Sequence, residues 1–188
     1  MAMPTAPEIH LETAAQWHDW LATHHDTEAG VWLVSWRTAT GRPRIDYEDV
    51  VCEALRYGWV DSTVRVLDDE RNALYLARRK KGSTWARSNK ERVARLTAQG
   101  RMQPSGLAAV ERAKADGSWT VLDPVEDLVV PEDLAAALDA RPGARAAYEA
   151  LPPSARKQIL WSVVSAKRPE TRARRVDRAV ATLVPGPA

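Results

Sequence analysis

The chain has 188 residues, with 27 Lys and Arg against 25 Asp and Glu, a formal net charge of +2. This length suits one domain, or a domain with a small appendage, and 45% hydrophobic with 28% charged residues excludes wholesale disorder. No run approaches the roughly 18 apolar residues of a membrane span. The start, Met1 to His10, has neither the basic nor the apolar region of an export signal. The single cysteine, Cys52, excludes an internal disulfide and a Cys-rich zinc site. The expectation is a cytoplasmic protein with no metal, no cofactor and no membrane span.

In chain order, residues 12–25 read as a helix: Thr13 caps it, and Trp17, Trp20 and Leu21 fall on one face. Val31–Arg37 is a β-rich run, followed by turn chemistry at Thr40 to Pro43. Asp46 opens the next helix as N-cap with Asp49 three residues on, and that helix ends at Tyr57-Gly58. Thr63–Leu67 and Ala73–Ala77 read as a hairpin. Ser83 or Thr84 then caps a basic helix that runs to Gln99 and stops at Gly100. Pro104 starts a helix ending near Gly117. The remainder reads as helical, with Pro131 and Pro142 in first turns, Ser154 as a cap and Pro169-Glu170 opening the last helix. Strands early and helices late give an α+β class: a small antiparallel sheet with helices in the N-terminal half, and an all-helical C-terminal half packed on it. The matching division is a core domain over 1–120 and a helical region over 121–188.

Charge is blocked along the chain. Residues 1–30 carry −5, 78–101 carry +8, 121–139 carry −6 and 154–178 carry +6. Two basic blocks on one face would suit nucleic acid, an anionic ligand or an acidic partner; the alternative is that acidic and basic blocks neutralise each other in the fold. Nucleic acid is the less favoured partner, after a small molecule or peptide.

The aromatic set is unusual, with eight Trp, four Tyr and no Phe. Helical or strand periodicity accounts for Trp17, Trp20, Trp32, Trp36 and Trp161 as core, and Trp119 falls in a linker. Trp59 and Trp85 stand in polar surroundings. In Tyr57-Gly-Trp-Val-Asp-Ser62, a glycine at a helix end presents Trp59, Asp61 and Ser62 at an element junction. Asp61 is a candidate general base or an anchor for a cation; as core and turn cap, Trp59 and Asp61 would do neither. The stretch from Ala77 to Lys90 is either an anion site at a helix N-terminus or a solvated capped helix. Near the C-terminus, Arg168, Arg172 and Arg175 recur at helical spacing. His18, His24 and His25 lack metal-ligand spacing, and Cys52 reads as buried and inert.

The runs Glu53-Ala-Leu-Arg-Tyr-Gly-Trp-Val-Asp-Ser62, Arg79-Lys-Lys-Gly-Ser-Thr-Trp-Ala-Arg-Ser-Asn89, Ala98-Gln-Gly-Arg-Met-Gln-Pro-Ser-Gly-Leu107 and Ser165-Ala-Lys-Arg-Pro-Glu-Thr-Arg172 together resemble the YdeI/OmpD-associated, bacteriocin-protection family. The resemblance implies a role in tolerance of antimicrobial peptides or bacteriocins and brings no catalytic residues with it. The expectation is then a binding protein with a groove between the sheet and the C-terminal helices. Trp59 and Trp85 would stack a small aromatic or anionic ligand or a peptide, with Asp61 and Ser62 as polar anchors and Asn89, Lys90, Lys167 and Arg168 recognising charge. The rival is a hydrolase acting on a reactive natural product, with Asp61 as base or nucleophile and Asn89 or Lys90 stabilising negative charge.

Overall fold

A computed structural model describes residues 4–184, so the first three residues of the stretch read for an export signal lie outside it. The chain divides into two compact units, Met1–Trp119 and Thr120–Ala188.

The first unit is built on a four-stranded sheet. Its strands are β1 (Glu8–His10), β2 (Gly30–Trp36), β3 (Trp59–Val66) and β4 (Arg71–Arg78), in the order β1-β2-β4-β3. The sheet is mixed, not wholly antiparallel. β1 runs parallel to β2, with Glu8 opposite Trp32, while the other pairs are antiparallel. Three residues carry too little periodicity to be read as a strand, and Ile9 finds its place only because β2 offers an edge. The expected hairpin strands are longer than their apolar runs. The β3–β4 ladder begins at Trp59 opposite Arg78 and is interrupted between Asp61 and Val64.

One sheet face is covered by α1 (Ala14–His24) and α2 (Tyr47–Arg56). Thr13 and Gln16 form a reciprocal capping box that starts α1 and places Trp17 and Leu21 inward. These two pack with Val31, Leu33 and Leu76 of the sheet and with Val50 and Ala54 of α2. The other face of α2 carries Val51, Cys52 and Leu55. They meet Trp85 and residues of α3 (Arg87–Ala98) and α4 (Pro104–Ala115), including Val93, Leu96, Val110 and Ala113. α2 is therefore buried on two sides between separate apolar clusters. Asp46 occupies its N-cap without a side-chain cap bond.

α3 begins two or three residues later than its Ser83 or Thr84 cap signal suggests, with Ala86 at the N-cap. Burial of Trp85 and a hydrogen bond from Arg79 to the Thr84 carbonyl hold the preceding residues out of the helix. α4 reaches the α2–β3 corner because two glycines allow it. Gly58 turns the chain at φ +77°, and a Cβ on Gly106 would stand 2.1 Å from the Arg56 carbonyl oxygen.

The second unit holds α5 (Asp123–Glu126), α6 (Glu132–Ala140), α7 (Ala144–Ala150), α8 (Pro153–Val164) and α9 (Pro169–Leu183). Its core includes Leu134, Leu138, Tyr148, Leu160, Val163, Val176 and Val180. Pro153 takes the first helical position of α8 with Pro152 as N-cap, so Ser154 lies inside the helix instead of capping it. Trp161 belongs to no buried face and is 37% exposed. No helix among the described residues is long and apolar enough to cross a membrane.

Candidate functional site

Three chain segments converge beside the corner where α2 passes into β3. They are the α2 terminus at Tyr57-Gly58, the end of β4 at Arg78 with Arg79 and Lys80 behind it, and the first turns of α4. Together with His25, Asp26 and Ala29 they enclose a recess of about 450 Å³. Its walls carry Arg78, Arg79, Lys80 and Arg112 against a single carboxylate, Asp26, so the recess is strongly positive. Arg78 donates to the backbone carbonyl of Asp26 at 3.0 Å and meets no carboxylate among the described residues. No ion pair among the described residues engages Lys80 or Arg112.

Arg79 is the unusual member. It is 7% exposed, and its guanidinium lies 3.6 Å from the centre of the Trp85 ring. Nη1 donates to the Thr84 carbonyl at 2.9 Å. Nε and Nη2 are buried and have no acceptor among the described residues. That Nε–Nη2 edge is the one by which Arg145 holds Asp139 and Arg172 holds Asp133, each through two bonds. In Arg79 the same fork is open. Burial of the uncompensated cation pushes its pKa down from 12.5 to about 10, and the charge of Asp61 offsets only part of this. Ser105 also lines the recess, and its buried Oγ has no partner among the described residues. His25 has its Nδ1 2.9 Å from the Leu21 carbonyl, which can only accept, so Nδ1 carries the proton and Nε2 remains available.

The residues singled out from the sequence are dispersed. Trp59 is fully buried in the sheet–α1–α2 cluster, its indole N–H donating to the His25 carbonyl at 3.1 Å. Trp85 is equally buried, in the α2–α3–α4 cluster, and packs 4.9 Å from Trp119. The two tryptophans occupy different cores and offer no ring face to a ligand, because each indole is needed to fill an apolar interior. Asp61 accepts the Tyr47 hydroxyl at 2.7 Å. Burial and that bond push the Tyr47 pKa up to about 12. Ser62 is exposed on β3. Asn89 accepts from Arg92 at 3.0 Å, and Lys90 stands 5.4 Å from the Trp119 ring. Lys167 and Arg168 are exposed in the second unit, at the turn before α9.

Much of the 78–101 block is neutralised within the fold. Glu48 receives Arg92 and Arg95, and the buried Glu53 receives Arg56 and Arg101. Glu48 is held at about pKa 2 by its bonds to Arg92 and Arg95. Cys52 is pushed up by burial, as an inert thiol would be. The four cations at the recess belong to those with no ion pair among the described residues. The Ala77–Lys90 stretch thus holds the relevant donors, though at Arg79 and Lys80 and not at a helix start. Arg112 and Ser105 had no signal of their own, because their proximity to Arg79 arises only from the packing of α4 on the corner.

No curated protein and no solved structure matches the chain. The YdeI/OmpD-associated family model, described as bacteriocin-protection, matches residues 127–186 and includes the Ser165–Arg172 motif. The other three motifs fall within a second match, over residues 9–109. Spanning more than half of the chain and nearly all of the sheet unit, that second match identifies the protein as a member of the DUF8412 family, a domain of unknown function.

Proposed function

We propose that the protein serves antimicrobial tolerance or self-protection by binding, with a small anionic ligand, or the anionic group of a peptide, held in the recess beside Arg79. The observation that carries this reading is Arg79, a residue lining the positive recess whose buried guanidinium has two N–H groups with no acceptor among the described residues. Burying a cation without a counter-charge is costly, and an oxyanion in the recess relieves that cost while adding charge-assisted bonds. Contact with the fork requires the Arg79 side chain to rotate toward the recess, a change common at binding surfaces. The tolerance role draws on the bacteriocin-protection match over residues 127–186.

Stacking of Arg79 on Trp85 supplies a readout. Titration with sulfate, inorganic phosphate and benzoate is expected to change tryptophan emission in the wild type and to leave Arg79→Gln unchanged. A host expressing the protein is expected to survive antimicrobial-peptide challenge better than one expressing Arg79→Gln at equal abundance. A wild type that responds to none of these anions, or equal survival of the two hosts across a broad peptide panel, counts against the reading.

A further inference from the structure

The composition of the recess points beyond anions in general. Elsewhere in the protein one carboxylate is matched to one or two arginines: Asp139 to Arg145, Asp133 to Arg172, Glu48 to Arg92 and Arg95. The recess instead gathers Arg78, Arg79, Lys80 and Arg112 around a single exposed acid, Asp26. Its exposed donors without an ion pair among the described residues are the Arg112 and Lys80 head groups; the Arg79 fork and the Ser105 hydroxyl lie buried in the wall, and the fork reaches a ligand once the Arg79 side chain turns. A carboxylate has two oxygens and one negative charge, too few for this set. A phosphomonoester has three terminal oxygens and a charge of about −1.5 to −2 at neutral pH. At about 450 Å³ the space also exceeds what one phosphate fills and falls in the range of small-molecule sites. Ala29, Gly58 and Ala108, with the small exposed part of Tyr57, give it a largely apolar remainder.

We propose that the recess binds a phosphomonoester, its dianionic phosphate held among Lys80, Arg79 and Arg112 and its organic group against Ala29 and Ala108. This rests on the anion-binding reading above.

Calorimetric titration of the full chain with phenyl phosphate, methyl phenyl phosphate, benzoate and inorganic phosphate tests it. Phenyl phosphate is expected to bind at least tenfold more tightly than each of the other three. Arg112→Ala, at an exposed position, is expected to weaken phenyl phosphate by at least fivefold with an unchanged melting temperature, and Arg178→Ala in the second unit to leave it unaltered. Benzoate or the diester binding as well as phenyl phosphate overturns the assignment to a dianion while leaving an anion site in place. Inorganic phosphate binding as well as phenyl phosphate overturns the assignment to an ester. Absence of binding by all four removes this proposal and the anion reading together.

Discussion

Arg79 is treated differently from the other buried charge, Glu53. Glu53, 6% exposed, is surrounded by Arg56, Arg101 and His18, whereas Arg79 has a bond to the Thr84 carbonyl, a long one to the Ser83 hydroxyl, one aromatic ring and, among the described residues, no carboxylate. Its folded pKa of about 10 lies below the ordinary 12.5, so the folded state releases that proton first. The sign follows: stability rises with pH between those two values, and the buried charge opposes folding at all lower pH. A depression of this size corresponds to about 3 kcal/mol. In Arg79→Met this relief is offset by loss of the Thr84 bond, about 1 kcal/mol, and of the cation–π contact, about 1–2 kcal/mol. The variant is therefore expected to stay within about 1 kcal/mol of wild-type stability by urea denaturation, while losing the anion response. A structural buried pair would behave differently, since removing one partner costs about 3–5 kcal/mol, and a loss of that size in Arg79→Met would mark Arg79 as structural. The sequence shows four consecutive cations from Arg78 to Lys81 but not which one is taken inside, because that depends on Trp85 closing over it.

Elements place these residues, and the decisive contact is between α4 and the end of α2. The Gln103 amide donates to the Arg56 carbonyl at 3.0 Å, and Gly106 lies so close that a methyl group would collide with backbone at 2.1 Å. Backbone cannot yield as a flexible side chain can, so Gly106→Ala must push α4 outward, at a cost of about 1–3 kcal/mol. That shift carries Ser105, Ala108 and Arg112 away from Arg79. Reduced phenyl phosphate affinity is expected even under conditions where circular dichroism shows the variant fully folded. Gly41→Ala is a control for destabilisation alone: its φ of +65° makes the substitution strained, nothing lies within 4 Å of the added Cβ, and Gly41 is not in the recess lining, so phenyl phosphate affinity is expected to hold. Equal affinity in Gly106→Ala and the wild type would show that α4 contributes nothing to the site. Features with local causes were legible in the sequence: the Thr13 cap, the stop at Gly58, the turn at Gly100 and the proline starts of α4 and α9. Features created by partners were not. β1 exists through its pairing with β2, and α3 starts late because the residues before it serve Arg79 and Trp85.

On the scale of the whole molecule, each unit has its own apolar interior, and the recess draws all its lining from the first. The tryptophans divide along the same line: seven of the eight belong to the first unit, where large indoles fill the sheet and helix clusters that phenylalanine fills in many proteins, and only the partly exposed Trp161 lies in the second. An independent core is the physical condition for independent folding. A fragment ending at residue 122 keeps Trp119, which packs on Trp85, and contains every recess residue. It is expected to show a cooperative melt and to bind phenyl phosphate within twofold of the full chain. The fragment from 120 to 188 is expected to be helical by circular dichroism, with Leu134, Leu138, Leu160 and Val163 as its core, and to bind none. At about 70 residues it buries a smaller fraction of its surface, so its transition should be the broader of the two. Tolerance in a host is the measurement that assigns work to the second unit. If the first fragment alone protects as well as the full chain, binding suffices. If protection needs both, the segment matching the bacteriocin-protection family supplies a step that follows binding.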